Sequence, residues 1–250
     1  MKIACALSIL LLLSNCGNPS DTQKSEFCNL KAFNTNIKTI IDGHDCSNTA
    51  SPVVKLSLFD DENTEFTCSG VIVSDSFVLT SAHCFYDSSI TGAVLISNDI
   101  YGIKNLFIHP KASDKVPYDV ALIELDKKTT ISPIPISSHV IPEIRDSIEI
   151  LGYGKSSITD NQNKTIGILR SGNMMISSVS FEDFAAIYDG SNENTCIGDS
   201  GGPAIKSGYL IGITTSGENL DCSTNDRSSF VSVQSIKDFL QLHIPDLITS

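Results

Sequence analysis

Short apolar runs recur along most of the chain, separated by Gly, Pro, Asn, Asp and Ser. They cover residues 53–59, 70–73, 93–96, 103–108 and 119–125, and then 148–154, 165–169, 174–179, 209–215 and 230–233. Apolar and polar positions tend to alternate, as in Val53-Val54-Lys55-Leu56-Ser57-Leu58-Phe59. A period of two turns one face of each segment toward a core, and many short strands at regular spacing predict an all-β barrel or sandwich. Residues 127–145, with Pro133, Pro135 and Pro142, read as a linker between the two groups. The period changes only over residues 233–242, where helical spacing stopping before Pro245 predicts a C-terminal helix.

The N-terminal part follows a different pattern. Met1-Lys2-Ile3 opens an apolar run that ends near Leu13, too short to cross a bilayer and preceded by one positive side chain. It predicts a signal peptide over residues 1–16, and hence export. Leu13-Ser14-Asn15-Cys16 resembles a bacterial lipobox, which would make Cys16 a lipidated membrane tether; ordinary cleavage near Gly17, with Cys16 discarded, is the alternative. Residues 17–39 are polar and read as a tether or pro-segment.

Composition narrows the function. A net charge of −12 and a pI near 4.7 argue against broad electrostatic affinity for nucleic acid or anionic lipid. Of eight cysteines, Cys5 lies in the signal and Cys16 is lipidated or lost, leaving Cys28, Cys46, Cys68, Cys84, Cys196 and Cys222. An even set in an exported chain predicts disulfides, with connectivity open. No C-x-x-C spacing supports structural zinc, and neither a metal nor a cofactor is expected.

The candidate chemistry centres on Cys196-Ile197-Gly198-Asp199-Ser200-Gly201-Gly202-Pro203. Glycines let the backbone turn sharply and approach a substrate closely, which suits an exposed nucleophilic serine. A hydroxyl needs a base and a group that orients the base. His83, after the strand-like Phe77-Val78-Leu79, and Asp119, opening an apolar run, are polar groups at the ends of rigid elements. Gly198-x-Ser200-x-Gly202 also fits a strand-to-helix nucleophile elbow, with His243 as base paired with Asp221 or Asp226, but Pro203 and the β-rich residues 209–215 argue against the helix this requires.

The segments around His83, Asp119 and Ser200 resemble those of the chymotrypsin/trypsin family of serine proteases, in that family's chain order, and the chain is read as an exported member of bacterial type. The resemblance implies two packed six-stranded antiparallel β-barrels and a C-terminal helix within a protease domain at 40–250. The barrels would lie at about 40–130 and 145–233 and the helix at about 234–243. It implies His83 as base, Asp119 as its orienting acid, Ser200 as nucleophile, and the backbone N–H groups of Gly198 and Ser200 as oxyanion hole. Thr215, whose hydroxyl would bond Asp119, Ser216 and Gly217 would hold an extended peptide, with Asn194 at the base of the side-chain pocket beside Thr195 and Ser228. No carboxylate stands at 194 to pair an Arg or Lys side chain, so a trypsin-like preference is not supported, and Asp226 or Arg227 would reach in only with a differently shaped loop.

Ile40-Ile41-Asp42-Gly43 is similar to the family's activated N-terminus, whose freed amine would pair with Asp199; here Thr39 precedes it, not Arg or Lys, leaving the activating protease open. The resemblance further implies disulfides Cys68–Cys84 and Cys196–Cys222, which leaves Cys28 for Cys46. Ser216 and Tyr153 stand where the family carries Trp, a residue this chain lacks. His44, His109, His139 and His243 read as structural or solvated, and Glu62 and Glu65 as a solvated face. The expected function is that of a monomeric exported serine endopeptidase, made as a zymogen and acting on protein or peptide substrates. The alternative is a catalytically silent homologue that serves as a binding module.

Overall fold

The computed structural model describes residues 27–30, 40–41, 43–112, 117–157, 159–160, 162–188, 190, 193–218, 222–223 and 225–249. The expected signal peptide, the lipobox at Cys16, Thr39 and most of the 17–39 segment lie outside these residues.

Six strands close the first barrel: Val53–Phe59, Glu65–Ile72, Phe77–Thr80, Ala121–Leu125, Asp99–Ile108 and Thr91–Ile96, each antiparallel to the next and the last paired back onto the first. Alternation sets the faces of Val53–Phe59. Val54, Leu56 and Leu58 are buried with Ile72, Val78, Val94 and Ile123, while Lys55 and Ser57 point away from that core. Each such fully buried aliphatic side chain contributes roughly 2 kcal/mol by leaving water.

The second barrel is built from Ser147–Gly152, Arg170–Val179, Asp183–Ile187, Arg227–Ser232, Tyr209–Gly217 and Pro203–Lys206, which closes back on Ser147–Gly152. Its core holds Ile148, Ile150, Met174, Ile176, Ile211 and the stacked pair Phe184–Phe230, with ring centroids 5.0 Å apart. A third cluster joins Val71, Leu79 and Leu122 of one barrel to Leu151, Ile213 and Val231 of the other, fixing the surfaces that face each other.

Two expectations need correction. Residues 165–169 are not a strand. The Asp160 carboxylate accepts both the N–H and the hydroxyl of Thr165 at 2.7 Å, and Gly167 takes φ +90°, so a capped turn replaces extended backbone. The 127–145 linker is also more than a spacer. Ile134 and Ile136 are buried between the barrels, and Ile136–Ser137 pairs in parallel with Ile248–Thr249.

After the second barrel come a 3-10 turn, Val233–Ile236, and an α-helix, Lys237–His243, that buries Phe239 and Leu240. On that helix His243 lies against Phe107, ring centroids 4.2 Å apart, which removes it as a base for Ser200.

Candidate active site

Three disulfides form, Cys28–Cys46, Cys68–Cys84 and Cys196–Cys222, as expected. Each stabilises by about 2–4 kcal/mol. The second ties the 3-10 turn Ala82–Phe85, which carries His83, to the strand Glu65–Ile72, and the Ser81 hydroxyl donates across the barrels to the Thr214 carbonyl at 2.7 Å. His83 is thereby held at the seam, its side chain one-third exposed.

Asp119 is delivered just ahead of strand Ala121–Leu125 by a turn in which Tyr118 takes φ +77°, a conformation a tyrosine holds only under constraint. Its carboxylate is buried and fully used. Oδ1 accepts the His83 backbone N–H at 2.8 Å and the Tyr86 hydroxyl at 3.4 Å, and Oδ2 lies 2.6 Å from His83 Nδ1. A carboxylate only accepts, so the imidazole proton sits on Nδ1 and the Nε2 lone pair is left free to act as a base.

Ser200 sits in a turn with Gly198 at φ +98° and Gly201 at φ +86°. A side chain at Gly201 would collide with the Ser69 carbonyl and the Thr80 hydroxyl, because the turn presses against the first barrel. Ser69 N–H donates to the Ser200 carbonyl, and Gly201 N–H to Thr214 O, both at 2.8 Å. The Ser69 hydroxyl donates to Gly198 O at 2.8 Å. Lys155 N–H holds the Ile197 carbonyl at 2.8 Å, so the planar peptide turns the Gly198 N–H to the opposite side. His83, Ser200, Gly198, Thr195, Cys196 and Thr214 to Gly217 line one cleft of about 610 Å3. Among the described residues the Ser200 hydroxyl makes only a long contact, 3.4 Å to the Thr215 carbonyl.

The remaining expected residues divide. Thr195, Thr215, Ser216 and Gly217 line the cleft, whereas Asn194 and Ser228 lie behind it, fully buried. There the Asn194 amide donates to Asp226 Oδ2 at 3.0 Å, Ser228 Oγ donates to Asn194 Oδ1 at 2.9 Å, and Thr195 and Ser228 hydroxyls meet at 2.6 Å. The reach of Asp226 into this network is a matter of loop shape, invisible in spacing. Thr215 departs from expectation: its hydroxyl donates to the Ser229 carbonyl at 3.3 Å, and Tyr86 supplies the extra bond to Asp119.

Asp199 is wholly buried, its oxygens accepting Gly154 N–H and Cys196 N–H, each at 2.8 Å. Burial pushes its pKa up to about 6, against the pull of those bonds and of Arg170. Ile40 is buried in the second barrel's core, and Ile41 O accepts the Asn194 N–H at 3.2 Å. A carboxyl raised when folded keeps its proton where the unfolded chain releases it, so folding loses stability as pH rises from about 4 to about 6. Relative to the parent, Asp199→Asn should therefore gain about 3 kcal/mol of unfolding free energy between pH 4 and pH 7, read from urea curves. Parallel curves would contradict this.

Two closed six-stranded barrels with a histidine, a carboxylate and a serine at their seam define a class, the chymotrypsin-like serine endopeptidases. The trypsin family model matches residues 40–240, and the chain belongs to the trypsin family. It is 28% identical to bovine (Bos taurus) duodenase-1 over 77% of this chain and 86% of that protein. It is 30% identical to human (Homo sapiens) kallikrein-4 over 72% and 77%. Neuropsin, a serine protease expressed in the limbic system of mouse brain, superposes with TM-score 0.66 at 22% identity, covering 81% of this chain and 99% of that one. HL collagenase gives TM-score 0.68 at 19% identity, covering 82% and 98%. These relatives give the bacterial character no support.

Proposed function

We propose that this endopeptidase hydrolyses peptide bonds by acyl transfer through His83, Asp119 and Ser200. His83 Nε2 takes the Ser200 proton as Oγ bonds to the substrate carbonyl carbon, and the protonated ring then gives a proton to the leaving amine. Water, deprotonated by the same nitrogen, releases the acid and restores the serine. The carbonyl oxygen becomes an oxyanion between the Gly198 and Ser200 N–H groups, an interaction whose loss typically costs about 3–4 kcal/mol. Asp119 keeps the proton on Nδ1 at the start and stabilises the imidazolium in between. The observation that carries this reading is the 2.6 Å pair of His83 Nδ1 and Asp119 on the same cleft as Ser200.

Substrate lies extended along Thr215, Ser216 and Gly217, bound through main-chain hydrogen bonds. Its side chain enters a pocket whose polar floor, Asn194, Thr195 and Ser228, is closed by its own hydrogen bonds, which favours small or polar residues. Three disulfides suit an oxidising compartment and so support export; the proposed enzyme is made as a precursor and acts as a monomer, free or tethered through Cys16. A fluorophosphonate probe should label Ser200 stoichiometrically, located by mass spectrometry of the peptide. A folded protein that resists labelling would favour the binding-module alternative.

A further inference from the structure

Asp119 is a buried carboxylate beside a partner that meets solvent. It is 4% exposed, although His83 is one-third exposed and opens onto the cleft. Among the described residues two side chains bond it: the His83 ring at Oδ2, and the Tyr86 hydroxyl, 3.4 Å from Oδ1. Tyr86 is itself 41% exposed, so its side chain runs from solvent down to the carboxylate and stands where water would otherwise enter. Its backbone is fixed from below. Tyr86 directly follows the 3-10 turn Ala82–Phe85 and keeps a helical φ of −67° and ψ of −28°. Phe85 is buried in the first barrel's core and Cys84 is bonded to Cys68, so this backbone cannot swing away without moving the core. The lining of the cleft does not include Tyr86, which therefore reaches Asp119 without being a wall for substrate.

We propose that Tyr86 is a positioning residue for the reaction, a cover whose ring keeps water off the Asp119 carboxylate and whose hydroxyl steadies Oδ1. This rests on the function proposed above. Before reaction the His83 ring is neutral, and its bond to Asp119 asks little of the surroundings. Once Nε2 has taken the Ser200 proton, the ring is a cation and Asp119 its counter-charge. Their attraction falls about fourfold if water raises the effective dielectric from about 20 to about 80. A cover therefore acts on the transition state and scarcely on substrate binding, which places its effect in kcat. A bond as long as 3.4 Å is weak, so the ring carries the larger share.

The test separates ring from hydroxyl. Tyr86→Ala should lower kcat by ~30–100-fold, the scale of that lost attraction, with similar Tm and with KM within about twofold of the parent's. Tyr86→Phe keeps the ring and should restore most of the rate, losing only about 2–5-fold for the hydroxyl. Tyr86→Ser is a second ringless variant with the same expectation, should the alanine form not fold. Proton spectra give a reading that needs no substrate. The His83 Nδ1 proton, bonded at 2.6 Å, should give a sharp low-field line in the parent and in Tyr86→Phe, and should be lost to exchange with water in the ringless forms. A ringless variant that keeps both this line and the parent's kcat overturns the proposal. So does Tyr86→Phe falling as far as Tyr86→Ala, or a loss carried by KM alone. A parent that shows the line yet neither turns over peptide nor takes the fluorophosphonate overturns instead the peptidase reading beneath it.

Discussion

Replacing Ser200 by Ala is expected to lower kcat for peptide hydrolysis by about 10⁴–10⁶-fold, with the fold intact. The chemical part follows from the role proposed for Ser200, whose hydroxyl is the nucleophile that loses its proton to His83 Nε2. The structural part follows from how little the hydroxyl does for stability. Its one hydrogen bond among the described residues is 3.4 Å to the Thr215 carbonyl, whereas the backbone around it is held by Ser69, Thr214 and Asp199, none of which uses the side chain. Losing so long a bond costs at most about 1 kcal/mol, a few degrees in Tm for a chain of this size. Residual activity at a tenth of the parent's would refute the nucleophile. His83→Ala should fall as far, and the double variant scarcely further, because the proton and its acceptor act as one unit.

The parts legible in the sequence were those where neighbours in the chain decide the outcome. Residues 53–59 alternate because one face is core, and the glycines about Ser200 mark a turn that must reach positive φ under the first barrel. The strand Asp183–Ile187 escaped notice because Asp183-Phe184-Ala185-Ala186-Ile187 shows little of the β-branched alternation that marks a strand; its pairing with Arg227–Ser232 and Arg170–Val179 makes it one. Pro203–Lys206 was hidden by its opening proline, which a strand tolerates at its first position.

The same division runs through the site. His83, Asp119 and Ser200 stood out because each lies in a local motif, but their helpers depend on contacts across the fold. Ser69 bonds Gly198 from 129 positions away. Tyr86 and Thr215 are the sharpest case. The resemblance offered Asp119 the Thr215 hydroxyl, and only the packing of the 3-10 turn beside Asp119 assigns the bond to Tyr86.

Asp119→Asn should cost nearly as much as loss of the serine, about 10⁴-fold in kcat, although it changes one atom. Asp119 has two acceptor oxygens and uses them for different purposes: Oδ1 for the His83 backbone N–H and Tyr86, and Oδ2 for the ring. Asparagine offers one oxygen and one NH2. The backbone N–H cannot turn away, so the oxygen must take the Oδ1 place, and the NH2 is left facing ring Nδ1. Two donors cannot share that 2.6 Å contact, so the ring gives its lone pair to the amide and moves its proton to Nε2. A ring that presents N–H to Ser200 cannot accept the serine's proton, and an imidazolium, if formed, has lost its counter-charge. KM should barely move, since Asp119 is buried behind His83. Nitrogen-15 spectra of labelled histidine should show the proton on Nδ1 in the parent and on Nε2 in the variant, with similar Tm for both. A variant with the tautomer switched but full activity would mean that the proton leaves Ser200 by another route.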